Sequence, residues 1–234
     1  LKKMIKIAAV LWMASGFAAY GQDALVVLQE PALPPLEEQT IAEDTSLKAL
    51  GMVQTYMDSV KSLEAQFVQR APDGGLTRGK LSLARPGRVR FDYTEDVPFL
   101  VVADGKTLNF IDYEIGQVTR WPVKDTPLRA LLGGSTDLSS VGANIEQAPG
   151  GLEGLVALHA NDPDKPELGH ITVYFEETAE GAAVPLRLLS WAVTDAQGQI
   201  TTVELSDGQP NVDLDDSLWE FDDPRGLAKR RRPR

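Results

Sequence analysis

Residues able to do acid–base or nucleophilic chemistry are sparse in this sequence. His159 and His170 are the two histidines. The first sits in an apolar stretch and the second opens another. Neither belongs to an HExxH pattern or to a paired spacing that would hold zinc. Cysteine is absent, which removes disulfides, thiolate metal sites and a cysteine nucleophile. No GxSxG accompanies a plausible triad, and "GGLEG" at 150–154 lacks the lysine and context of a phosphate loop. With 34 Asp and Glu, a paired-carboxylate hydrolase is the one catalytic arrangement left open. A solvated acidic surface accounts for the same residues. No catalytic residue, metal or cofactor is expected, and an enzyme is the last of the readings.

The charge pattern is more informative. Residues 22–224 hold 14 Lys and Arg against all 34 acids, a balance that repels nucleic acid and anionic lipid surfaces. Against that background "ARPGRVRF" at 84–91 concentrates Arg85, Arg88 and Arg90 around a Pro-Gly turn. In the following "RVRFDY", Val89, Phe91 and Tyr93 share one face of a strand, and Arg88, Arg90 and Asp92 share the other. Arg88 and Arg90 are read as that strand's wet face, paired with Asp92 or with acids across strands.

The elements that must position these residues can be read along the chain. Residues 1–21 have the order of a signal peptide: Lys2, Lys3 and Lys6, an apolar core, then small residues before a cleavage site near Gly21-Gln22. An uncleaved anchor or a buried helix is the alternative. Residues 22–42, with Pro31, Pro34 and Pro35 among acids, read as an extended linker. A helix follows, capped at Asp44, Thr45 or Ser46, with Leu47, Leu50, Val53, Met57 and Val60 on its apolar face. From Leu63 the period drops to two, and about ten antiparallel strands follow with short connections. Thr126 as cap, Pro127 at the first position and Gly133 as terminator mark a short helix in "TPLRALLG". Residues 43–224 thus form one domain, and 225–234 a basic, disordered tail that docks on an acidic partner or anionic head groups, or stays solvated.

A sheet of this size with one apolar face must cover it. Two short helices are little cover, which leaves an apolar cleft suited to an apolar ligand. A sandwich or closed barrel filled by its own side chains fits the pattern equally well.

Four stretches go further: "YMDSVKSLEAQFVQ" at 56–69, "GKLSLARPGRVRFDY" at 79–93, "LVVADGKTLNFIDYEIGQVT" at 100–119 and "TPLRALL" at 126–132. In this order and spacing they resemble the LolA-type outer-membrane lipoprotein carrier proteins, while the C-terminal half matches only in strand pattern. The resemblance implies a mainly β (α+β) fold: an incompletely closed antiparallel β-barrel with short helices forming a lid over an apolar cavity. It implies a periplasmic monomer that holds lipoprotein acyl chains, loaded by an inner-membrane ABC release complex and unloaded at an outer-membrane acceptor. Arg85 matches the arginine that holds the lid shut. The cavity is expected among Phe67, Leu81, Leu83, Val89, Phe91, Tyr93, Leu100, Val102, Phe110, Leu128, Leu131 and Leu132. Val89 departs from the family, which often has a larger apolar or aromatic residue there. A lipid-binding sensor or regulatory module on the same fold is the alternative; the added second domain of such proteins is not expected after residue 224.

Overall fold

The computed structural model describes residues 36–94, 97–134, 138 and 142–225. The expected signal peptide and the tail beyond Arg225 lie outside the described residues. Period-two alternation becomes eleven strands: β1 (Ser62–Arg70), β2 (Leu76–Ala84), β3 (Arg88–Tyr93), β4 (Phe99–Asp104), β5 (Thr107–Asp112), β6 (Gln117–Pro122), β7 (Asn144–Gln147), β8 (Leu155–Asn161), β9 (His170–Glu177), β10 (Leu186–Thr194) and β11 (Ile200–Pro210). They form one antiparallel sheet in the order β6-β5-β4-β3-β2-β1-β11-β10-β9-β8-β7. Two meanders are thus joined where the first strand pairs with the last. β6 and β7 are its two edges and do not pair, so the barrel is incompletely closed.

Helix α1 (Leu36–Ser59) is longer than its sequence pattern suggests. It begins inside the stretch read as linker, so 36–42 is helical and Asp44, Thr45 and Ser46 lie within the helix rather than capping it. Ala49, Val53, Tyr56 and Met57, with Val60 just beyond, turn a buried stripe toward the sheet, and Tyr56 meets Phe175 edge-on at 5.0 Å between ring centroids. Leu47, expected on that stripe, is 67% exposed. Helix α2 (Arg129–Leu132) is shorter than the stretch 126–133 read as helix, and no side chain caps it. The Thr126 hydroxyl instead donates to the Val123 carbonyl at 2.8 Å, closing a 3-10 turn over Val123–Asp125.

Two irregularities shape the sheet. The register shifts between Glu64 and Gln66 where β1 meets β11, and between Leu188 and Ser190 where β10 meets β9. Bulges of this kind bend a strand and let a sheet coil. A third device is Gly79, where a Cβ would fall 2.0 Å from the Asp92 carbonyl oxygen and 2.8 Å from the Phe67 ring. Only glycine lets β2, β3 and that ring approach so closely.

Candidate functional site: a lidded apolar chamber and its latch

The inner face of the sheet is built by alternation. Phe67 on β1, Leu81 and Leu83 on β2, and Val89 and Phe91 on β3 are all buried in one cluster with Val101, Leu108, Trp191 and Val203. Cross-strand register brings them together: Leu81 lies opposite Phe91 and Leu83 opposite Val89. Phe67 is the hub of the aromatic group, edge-on to Phe91 and to Tyr93 at 5.3 Å each, with Phe91 6.2 Å from Trp191. Leu128, Leu131 and Leu132 close over this face from the α2 region, and Phe110 and Tyr93 pack at its margin. Among the polar residues of the wall is Gln69, buried, whose Oε1 accepts from the Tyr93 hydroxyl at 2.9 Å. Burial raises the Tyr93 pKa despite that bond.

Two expected cavity residues are elsewhere. Leu100 and Val102 point to the outer face, where they pack with Ile111, Val118 and Phe221. "FLVVA" is apolar throughout, so its parity is hidden in the sequence; Val101 and Ala103 are its inward residues. Trp191 and Val193 were missed for a related reason. The β10 bulge after Leu188 switches which residues face inward, and a strict alternation counted from Leu186 assigns them outward.

The lid spans the open side of the sheet. At one end Arg85, in the turn between β2 and β3, donates from Nε to the Leu131 carbonyl at 3.1 Å and from Nη1 to the Val60 carbonyl at 2.5 Å. One guanidinium thereby ties the lid helix to the chain just beyond α1. Its Nη2 is buried with no hydrogen-bond partner among the described residues, and the group lies over the Tyr56 ring, 5.3 Å from the centroid. Burial lowers the Arg85 pKa, with Tyr56 opposing. Beside it the Gly87 amide donates to the Leu132 carbonyl at 2.9 Å. Gly87 has φ +75°, and a Cβ there would sit 2.5 Å from the Gly105 carbonyl oxygen, so this turn admits glycine alone. At the far end, Arg129 pairs with Asp162 at 3.3 Å and Asp125 with Lys165, joining the lid to the β8–β9 loop.

Between lid and wall remains a void of about 40 Å³ bordered by Gln69, Phe91, Tyr93, Leu128, Trp191 and Val203. That is space for water, not for a fatty chain. The chamber is shut and filled by its own side chains, so any ligand of size requires the lid to move.

Arg88 and Arg90 lie on the outer face of β3 and Arg90 pairs with Asp92, as expected, but that face is partly covered rather than bare. The chain after β11 crosses the outer side of β3 and β4. Arg90 donates to both Asp92 oxygens, and to the Leu218 and Glu220 carbonyls at 3.0 Å each. Arg88 pairs with Asp216 at 2.8 Å and covers the Trp219 ring. His159 also lies outside the chamber, between Thr172 and Glu146.

Residues 58–222 match the family model described as "Outer membrane lipoprotein carrier protein LolA". An outer-membrane lipoprotein carrier protein of Chromobacterium violaceum is 28% identical over 85% of this chain and 97% of its own length. One from Chromohalobacter salexigens is 30% identical over 73% and 80%. A solved LolA superfamily protein from Nitrosomonas europaea superposes with a TM-score of 0.42 at 13% identity, covering 75% of this chain and 97% of that one. With its family match running from the end of α1 to the strap across the outer face, this chain belongs to the LolA family of outer-membrane lipoprotein carrier proteins.

Proposed function

We propose that the protein is a periplasmic carrier that receives the acyl chains of lipoproteins from an inner-membrane ABC release complex and delivers them to an outer-membrane acceptor. The observation that carries this reading is an apolar chamber whose lid is held by one arginine bridging α2 and the end of α1. Exposing an acyl chain to water costs about 0.8 kcal/mol per CH₂, so a lipid-modified protein cannot cross an aqueous space unaided. Such a carrier acts by binding and release, without a catalytic step, and it must open and shut. Export by a leader at residues 1–21 belongs to the same reading. Depleting the protein from its host should leave outer-membrane lipoproteins in the inner membrane; normal sorting after depletion would refute the assignment. Mass spectrometry of the purified protein's bound material should find acylated peptide.

A further inference from the structure

Outside the lid lies a groove of about 560 Å³, in the size range of ligand sites, about 300–1,000 Å³. Its floor is apolar: Pro86, Val123 and Leu132. Its rim is cationic: Lys106, Lys124 and Arg129. Among the described residues no acid lines it, although acids outnumber bases 34 to 23 in the chain. Described carboxylates next to these residues in sequence or paired with them have partners. Asp104 accepts from the Lys106 and Thr107 amides, Asp125 pairs with Lys165, and Asp162 pairs with Arg129. The Lys106 and Lys124 ammonium groups are exposed and form no ion pair among the described residues.

The position of the groove says what could fill it. It sits where α2 meets the turns bearing Gly87 and Gly105 and the end of β6. This is the margin whose Arg85 and Gly87 hydrogen bonds must part when the lid opens. Acyl chains held under the lid cannot draw their attached polypeptide through hydrogen-bonded strands, so it leaves along a lid margin. The geometry points to this groove as the seat of the cargo's own peptide, the acid-bearing segment that follows the acylated residue. Apolar side chains of that segment lie on Pro86 and Leu132, and its carboxylates meet Lys106 and Lys124. Because the segment touches both lid and body, its presence also biases the lid.

This rests on the carrier reading, and the test separates the two. Two synthetic lipopeptides, each a triacylated cysteine followed by four glutamates or by four lysines, are titrated against the full chain at low salt. The chain's overall negative field favours the lysine peptide, so a preference for the glutamate peptide reports a local basic site. The expected preference is about tenfold, from two exposed charge pairs, and it collapses when salt is raised to about 0.5 M. Lys106→Glu with Lys124→Glu should invert it, and Lys106→Gln with Lys124→Gln should abolish it, with thermal melts confirming that both variants fold. Equal affinities, or a preference for lysine, overturn the groove and leave the carrier reading standing. Binding of neither peptide overturns both. Loss of the preference in millimolar inorganic phosphate makes this a small-anion site and overturns the peptide assignment.

Discussion

Arg85 joins two carbonyls that belong to different elements, which is what the proposed latch requires. Lifting the lid would break its bond to Leu131, whereas its bond to Val60 ties it to the end of α1. A hydrogen bond from a charged group contributes about 1.5–3 kcal/mol, so Arg85→Leu should shift the lid toward open by roughly tenfold. A ligand that needs the open state is then held rather than expelled. The expected outcome is a folded variant that binds lipoprotein yet passes it on about tenfold more slowly. Arg88→Leu, on the outer face, should transfer at the normal rate. Equal transfer by Arg85→Leu and the unaltered protein would remove Arg85 from the gate. The proposed role rests on the resemblance of "ARPG" to a family motif; composition and spacing mark all three arginines alike. The Arg90–Asp92 pair was legible from the strand pattern. The other partners of Arg88 and Arg90 lie some 130 residues away, at positions 216–220, and no local pattern announces a strap across a strand's outer face.

At the scale of elements, the lid is held at both ends by different physics: hydrogen bonds to buried carbonyls at one, ion pairs at the other. The Arg129–Asp162 pair is the more sheltered of the two ion pairs. Asp162→Asn should raise hydrogen exchange of the amides in 126–133 about fivefold, the equivalent of about 1 kcal/mol; unchanged protection would mean that the loop does not restrain the lid. The Asp125–Lys165 pair sets the pH window. Lys165 lowers the Asp125 pKa, so that contribution is complete above the unfolded value near 3.9 and fades only as pH falls through the lower folded value. The Lys165 pKa is raised, so its share is complete below about 10.4 and fades as pH climbs through the higher folded value. Between about pH 5 and 9 salt should therefore loosen this end of the lid while pH does not. Element type was readable from periodicity. Helix ends were not, because Thr126 bonds backward to Val123 and α1 continues into a proline- and acid-rich stretch.

For the whole molecule, the decisive quantity is the difference between a void of about 40 Å³ and the volume a fatty chain requires. On the proposed carrier reading an entering chain displaces Leu128 and its neighbours from the aromatic wall, and Trp191 is buried in that wall. Titration with a long-chain acyl probe should change tryptophan emission, and Trp191→Phe should abolish the change while Trp219→Phe, on the outer face, keeps it. The opposite result would place the ligand elsewhere. The meander was legible from turn signals and short connections. A filled sandwich stayed open as an alternative because local pattern does not reveal which distant strands pair, and that pairing decides closure.

The β1–β11 seam carries a consequence for how the molecule is made. Its partners, such as Phe67 and Leu205, are separated by most of the domain, and a chain delivered from its N-terminus presents β1 before β11. Until the last strand arrives, the first meander has a bare edge and an uncovered apolar face, a state open to edge-to-edge association. Folding should therefore wait on delivery of the last strand, and pairing over such sequence distances is slow. A chain stopped before Ile200, which keeps ten of the eleven strands but not the one that joins the two meanders, should collect in aggregates rather than as a soluble domain.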